Sequence, residues 1–264
     1  TAEILGRKLY STYGKYLVTQ KIFLVVFALI FYYLLGPEGV VLGYAISFLP
    51  YSVKIYQGFK ESKFNPNIIK SHFGFMMNSF SLDLSRTFSN NIDKIIVGPL
   101  LGFSLLGNYQ LGVQFLSLAG LLPSIVYQYT LPHDASGNSN KKLKKITILA
   151  SVLLAILGVA LAPIVVPALL PKFDKAIQVI QITSLGIIPL SVNLTYFSKL
   201  IGMEKNRIIL VGSVIYSAVQ VLGIIILGKL FGINGVAASL VLASSTEALY
   251  LIIIDRFLLK KESI

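Results

Sequence analysis

Apolar residues dominate long segments of this chain, and the polar positions between them divide it into eight stretches. Each stretch holds the roughly 20 residues that an α-helix needs to cross a bilayer. They cover about residues 17–35, 39–58, 75–101, 104–131, 146–170, 175–198, 207–227 and 233–255. The pattern therefore predicts an all-α protein, an integral membrane bundle of about eight transmembrane helices.

The third segment, from Phe75 to Leu101, combines apolar character with four charges. On a helix with about 100° per residue, seven of its polar side chains fall within an arc of about 120°. The arc contains Ser79, Asp83, Arg86, Thr87, Asn90, Asp93 and Lys94. Charged groups are costly in hydrocarbon and usually face a cavity or a partner charge. The segment therefore predicts a helix with one face turned towards water or towards other polar groups.

Basic residues are distributed unevenly over the connections between these segments. When the connections are assigned alternately to the two sides, 18 of the 23 Lys and Arg residues lie on one side, around residues 7–21, 54–70, 141–145, 199–207 and 256–261. The positive-inside rule assigns that side to the cytoplasm. We therefore expect a multi-pass protein of the plasma membrane whose termini, as given, are both cytoplasmic.

Composition supports the membrane assignment and excludes several classes of function. The chain is 55% hydrophobic and 13% charged, whereas soluble domains carry about 25% charged residues. A net charge of +12 would suggest nucleic acid as a partner of a soluble chain. Here the basic residues follow the topology, so we expect no nucleic-acid partner. The chain has no cysteine and only two separated histidines, which gives no basis for a metal site or a redox cofactor.

Two predicted hairpins have similar sequences. Residues 36–45 and 232–241 both place Gly-x-x-Gly-Val at a turn and continue with small residues, 196 positions apart. This offset predicts two similar six-helix halves, with residues 1–60 holding the last two helices of a first lobe and residues 61–264 forming the second lobe. About four helices would then precede residue 1. The alternative is that each glycine pair only makes a tight turn.

One motif carries a family resemblance. Residues 91–102 read NIDKIIVGPLLG and are followed by Leu106-Gly107-Asn108-Tyr109. This pattern resembles the oligosaccharide flippases of the polysaccharide biosynthesis protein family, in the superfamily that includes the multidrug (MATE) exporters. Members have 12 or 14 helices in two lobes, so the resemblance implies that this chain is the C-terminal part of such a transporter.

The resemblance also implies a function. The expected activity is transport of a polyprenyl-linked oligosaccharide from the cytoplasmic to the outer leaflet by alternating access, in a monomeric transporter surrounded by membrane lipids. A cation-coupled MATE-type exporter of small molecules is the alternative. Coupling to H+ or Na+ is open in either case. No enzyme is expected, because the sequence lacks a nucleophile set, a phosphate loop or a metal motif.

Several polar residues are candidates for the substrate cavity. Arg86 either binds substrate phosphate through its guanidinium group or pairs with Asp83 three residues earlier. Asn90 lies on the same arc. Asp93 and Lys94 are closer to a helix end, where charges are less costly, so a structural or topological role is favoured for them.

Further candidates lie in later segments. Glu247 is the other deep carboxylate, and it either lines the cavity, pairs with Arg86 or carries a coupling ion. Gln110 and Gln114 suit sugar hydroxyls or contacts between helices. Pro123 and Pro189 interrupt the fourth and sixth segments and are hinge candidates, with rigid kinks as the alternative.

Overall fold

The computed structural model describes residues 10–49, 51–52 and 91–256, together with isolated positions between residues 56 and 87. All regular secondary structure among these residues is helical, which confirms the all-α fold. The described chain forms two compact units, residues 1–73 and 74–264. Each unit is described separately below. The proposed lobe boundary near residue 60 stays a prediction.

The first unit contains a helical hairpin. Helix α1 spans Tyr10–Leu35 and α2 spans Pro37–Ile46, joined by Gly36. Gly36 has φ 72° and ψ −153°, a conformation that glycine adopts without strain. A hydrogen bond of 3.2 Å from Gln20 Nε2 to Ser47 Oγ, both buried, ties the open end of the hairpin together.

The second unit is a bundle of seven helices among the described residues. These are α3 (Ile92–Leu101), α4 (Phe103–Ala119), α5 (Leu121–Ala135), α6 (Lys141–Leu169), α7 (Ala176–Leu185), α8 (Ile187–Gly202) and α9 (Asn206–Ile254). Helix α7 packs against α4 and α6, and α8 packs against α5, α6 and α9. The main core lies where α3, α4 and α7 meet α9, around the buried side chains of Val97, Val179 and Ile224.

Helix α9 is a second hairpin, because its 49 residues reverse direction at Gly232. Gly232 has φ 60° and ψ −138°, close to the values at Gly36. Residues equidistant from the turn touch, since a Cβ at Gly223 would lie 2.6 Å from Ser239 Cβ. We refer to residues 206–231 as the first arm of α9 and to residues 233–254 as the second arm.

The two hairpins share a close helix crossing at equivalent glycines. A side chain at Gly39 would overlap the carbonyl oxygen of Phe31, and one at Gly235 would overlap the carbonyl oxygen of Leu227. Both contacts span eight residues, and both glycines are buried. The sequence similarity of residues 36–45 and 232–241 thus corresponds to the same turn geometry and the same backbone contact.

The exterior of the second unit is apolar and its interior contains polar side chains. Leu149, Ile156 and Val214 are 60%, 59% and 60% exposed. In contrast, Ser151 and Thr183 are fully buried. A soluble protein shows the opposite distribution, whereas a bilayer solvates apolar side chains and leaves polar ones to bridge helices. The membrane-embedded helical bundle is therefore confirmed.

Fewer than eight single helices meet the length and apolarity of a membrane span. Four stretches do so among the described residues, one of which comprises α7 and α8 together, and a fifth is obtained if α4 and α5, bent by 42°, count as one span. The difference has two visible causes. Helix α9 contains two predicted spans, one in each arm of its hairpin, and is counted once. The predicted second span is divided, because α2 has only ten residues. Most of the predicted third span falls on residues 74–90, where only positions 77, 80, 84 and 87 are described.

Both predicted proline interruptions follow a Gly-x-x-Pro sequence. Pro123 and Pro189 lie in the first turns of α5 and α8, three residues after the breaks at Gly120 and Gly186. A proline in a first turn removes no intrahelical hydrogen bond, because the first N–H groups of a helix have no partner there. The prolines therefore begin new helices, and their role as hinges stays a prediction.

The crossing in α9 gives a first testable prediction. Gly235→Ala is expected to lower the free energy of unfolding by about 1–3 kcal/mol, because the added methyl group forces the two arms apart. The thermal unfolding midpoint in detergent measures this loss. Gly107→Ala is the matched control, since its nearest neighbour, Phe173, would lie 3.8 Å from the new methyl group. Equal midpoints for the two variants would show that the crossing is not tight.

Candidate functional site

A cavity of about 600 Å3 lies inside the second unit, between α3, α4, α5, α8 and both arms of α9. Leucine, valine and phenylalanine side chains form part of its wall. The polar part consists of Asn91, Asp93, Lys94, Ser117, Tyr127, Asn193, Ser213, Tyr216, Gln220, Ser244 and Glu247. A polar cavity within an apolar bundle provides the environment that a polar solute needs at membrane depth.

The charged wall begins at the start of α3. Asn91 forms a turn with φ −127°, and α3 starts at Ile92. This places Asp93 in the first turn, where the helix dipole favours a carboxylate. Lys94 Nζ donates a hydrogen bond of 2.8 Å to Asn91 Oδ1. The break at Asn91 therefore interrupts the predicted polar arc and turns two charges towards the cavity.

Asp93 is fixed by several groups although it lines the cavity. Its Oδ2 accepts a hydrogen bond of 2.7 Å from the Tyr109 hydroxyl on α4, and its Oδ1 accepts one of 2.8 Å from the Lys94 backbone N–H. Gln220 on the first arm of α9 also lies within hydrogen-bonding reach of the Tyr109 hydroxyl. Asp93 is 3% exposed and Tyr109 fully buried. Asp93, Tyr109 and Gln220 together therefore connect three helices.

Glu247 forms the second polar centre, on the second arm of α9. Asn193 Nδ2 on α8 donates a hydrogen bond of 3.0 Å to Glu247 Oε2, and it also lies 3.2 Å from the Ser244 carbonyl oxygen. Glu247 is 6% exposed. Its other carboxylate oxygen lies 3.4 Å from the position that a Cβ would take at Gly212. Tyr216 lines the same cavity, within electrostatic reach of both Asp93 and Glu247.

The structure brings only some of the predicted site residues together. Asp93, Lys94 and Glu247 line the cavity. Gln114 is exposed and does not line the cavity. Gln110 does not line it either, and its buried Oε1 atom has no hydrogen-bond partner among the described residues. Asp83, Arg86 and Asn90 lie outside the described residues, so the predicted phosphate contact of Arg86 stays a prediction.

Several residues that line the cavity were not among the candidates predicted from the sequence. On the first arm of α9, Ser213, Tyr216 and Gln220 recur at helical spacing and share the face that lines the cavity. Asn193 is the one amide side chain of α8, where it lies between Ser191 and Thr195. Both patterns are visible in the sequence, since polar residues at one helical face of a membrane span are the usual sign of a cavity wall.

The Asp93–Tyr109 contact gives a second prediction. Tyr109→Phe is expected to destabilise the protein by about 1–3 kcal/mol, because a buried carboxylate oxygen loses its donor while the packing volume stays almost unchanged. Tyr33→Phe is the control, since the Tyr33 side chain is 86% exposed. Thermal unfolding in detergent should lower the midpoint of the first variant only. An unchanged midpoint for Tyr109→Phe would exclude a structural role for the contact.

Comparison with known proteins gives two findings. The model of a polysaccharide biosynthesis protein family matches residues 16–145, just under half of the chain. The resemblance seen in the sequence is thereby confirmed. No curated protein sequence matches the chain.

The fold of this chain is also similar to that of a solved transporter. The lipid II flippase MurJ, in an inward closed conformation, superimposes with a TM-score of 0.74 at 16% sequence identity. The similarity covers 92% of this chain and 56% of the MurJ chain. The chain thus spans little more than half the length of that relative and shares its fold.

Proposed function

We propose that this protein flips a lipid-linked oligosaccharide from the cytoplasmic to the outer leaflet of the plasma membrane by alternating access. The observation that carries the proposal is the polar cavity of about 600 Å3 inside a bundle with an apolar exterior. A sugar headgroup and its phosphates cannot enter hydrocarbon without partners, because each unpaired polar group costs several kcal/mol. The family match and the MurJ-like fold support the same substrate class.

The cavity wall suits the parts of such a substrate. Sugar hydroxyl groups donate and accept hydrogen bonds, and the amides of Asn193 and Gln220 with the hydroxyl of Tyr216 offer partners of both kinds. Lys94 supplies a positive charge for a phosphate oxygen. We propose that the cavity provides these groups to a transported headgroup while the polyprenyl chain stays in lipid. In this proposal the protein is a monomeric transporter and performs no covalent chemistry.

One observation favours a second candidate, a cation-coupled exporter of small molecules. The described cavity wall contains two carboxylates, Asp93 and Glu247, and one lysine. An excess of acidic groups suits a cationic solute or a coupling ion such as H+ or Na+. No group of three or more His, Cys, Asp or Glu side chains is assembled among the described residues. A coupling ion would therefore be held by one or two carboxylates together with neutral oxygens.

The two candidates are separated by a translocation assay. The protein is reconstituted into liposomes with a fluorescent polyprenyl-pyrophosphate oligosaccharide, and a membrane-impermeant lectin reports the sugar on the outer surface. We expect faster exposure of the sugar than in protein-free liposomes. If only the efflux of a small cationic dye is accelerated, the flippase proposal fails and the exporter is supported.

A further inference from the structure

A second pocket, separate from the cavity, lies where α5 meets α6. It has a volume of about 610 Å3 and shares no lining residue with the cavity. Its wall consists of Tyr129 and His133 on α5, the connecting residues 137–140, and Lys141 and Lys142 at the start of α6. The Tyr129 and His133 rings lie 4.8 Å apart and form one side of the pocket.

The pocket is positively charged. Lys141 and Lys142 are both exposed, and no carboxylate contributes to the lining. The nearby carboxylate of Asp134 is buried, lies within hydrogen-bonding reach of the pocket residue Ser139, and has its charge paired with Lys144, while Ser198 donates a further hydrogen bond to it. The two pocket lysines are therefore not neutralised by the residues that surround them, and they are available to an anion.

The pocket lies next to a surface that faces lipid. On α6, Ile146, Leu149, Leu153 and Ile156 recur on one face and are 51–60% exposed. This stripe begins four residues after Lys142, a rise of about 6 Å along the helix. Tyr129, 54% exposed, also combines an apolar ring with a polar tip, which is typical of the membrane interface. Lys141 and Lys142 thus lie at the depth of lipid headgroups.

We propose that this pocket binds the phosphate group of an anionic glycerophospholipid. Lys141 and Lys142 contact the phosphate, the hydroxyl and amide groups of residues 138–140 contact the rest of the headgroup, and the acyl chains lie along the stripe on α6. Charge complementarity selects this occupant, because a zwitterionic lipid would bring its own cation next to the lysines. Basic residues that only set the topology would not require a pocket.

The opposite end of the unit offers a matched comparison. Lys172 and Lys175 are also exposed, but Asp174 lies between them and its side chain accepts a hydrogen bond of 2.9 Å from the Lys175 backbone N–H. These two lysines carry the same positive charge as Lys141 and Lys142, but they flank an acidic residue and line none of the pockets described above. It therefore separates the effect of a built pocket from the effect of basic charge alone.

The test is a titration of the purified protein with phosphatidylglycerol, followed by native mass spectrometry. For the double variant Lys141→Gln/Lys142→Gln we expect about thirtyfold weaker binding, which corresponds to about 1 kcal/mol for each lost lysine. Lys172→Gln/Lys175→Gln should bind as the unmodified protein does. Equal binding by both double variants, whether strong or weak, would overturn the proposal.

Two further measurements identify the source of the phosphate group. Phosphatidylcholine should bind equally weakly to all three proteins. Inorganic phosphate at the same concentration should not displace phosphatidylglycerol, because it lacks acyl chains for the apolar stripe. Displacement by inorganic phosphate would show a site for soluble anions and would overturn the assignment to lipid. Raising the salt concentration should weaken lipid binding, since exposed charge pairs are screened.

Discussion

Lys144→Ala is expected to lower the free energy of unfolding by about 3–5 kcal/mol, because it leaves a buried carboxylate without its counter-charge. The Lys144 ammonium forms an ion pair with Asp134, and the two side chains are 9% and 2% exposed. Asp134 also accepts a hydrogen bond from Ser198 on α8, and the Ser198 hydroxyl oxygen lies 3.1 Å from that of Thr130. The substitution therefore weakens the contact of α5 with both α6 and α8.

Two controls show that this loss arises from the buried charge. Lys145→Ala removes the next lysine, which is exposed, and should change the stability by less than about 0.5 kcal/mol. The double variant Lys144→Met/Asp134→Leu should recover most of the loss, since a buried ion pair can be replaced by apolar side chains at little cost. Thermal unfolding in detergent measures all three. If Lys144→Ala and Lys145→Ala unfold at the same temperature, the ion pair contributes nothing to stability.

Glu247→Gln is expected to reduce transport at least tenfold while the protein remains at least as stable. Keeping a carboxylate in an apolar bundle costs free energy, and Glu247 receives one hydrogen bond from a side chain, that of Asn193. The neutral amide of glutamine removes this cost and keeps the shape. A charge that costs stability and is still present in the cavity is expected to serve transport.

A loss of transport without a loss of stability would separate a role of Glu247 in transport from a role in structure. Transport is followed with the liposome assay and stability with thermal unfolding. Glu204→Gln, at an exposed turn, should change neither. Comparing liposomes with and without pH or Na+ gradients then tests coupling, since a coupling carboxylate makes transport by the unmodified protein depend on one gradient. Unchanged transport by Glu247→Gln would contradict a role for this carboxylate.

The membrane fold was predictable from the sequence because bilayer solvation leaves a simple pattern. Apolar stretches of the right length, turns at Gly36 and Gly232, and the similarity between residues 36–45 and 232–241 all correspond to helical features of the structure. A turn that requires positive φ at glycine is a local property, so it can be recognised from a few residues.

The candidate site was only partly predictable, because it depends on which helix faces meet. Asp93, Lys94 and Glu247 stood out as charges in apolar segments. Helix α3, which carries Asp93 and Lys94 at the cavity, starts only after a turn at Asn91. A continuous periodicity of about 100° per residue cannot predict this turn. Gln110 and Gln114 have the right spacing on α4 but do not line the cavity. The composition of one helix does not specify which other helix packs against each of its faces.

The central claim is that the cavity is an aqueous pathway for the substrate headgroup, and cysteine accessibility tests it most directly. The sequence contains no cysteine, so single cysteines can be introduced without background. Ser213 lines the cavity, whereas its neighbour Val214 is 60% exposed on the apolar exterior. A charged thiol reagent reacts with thiolates, which form in water and not in hydrocarbon.

We predict that Ser213→Cys in liposomes reacts with this reagent at least tenfold faster than Val214→Cys, and that added lipid-linked oligosaccharide slows the reaction of Ser213→Cys alone. Equal rates at the two positions would show that the cavity is not aqueous. Fast labelling of Ser213→Cys without protection by the lipid-linked oligosaccharide would contradict its role as the pathway for that substrate.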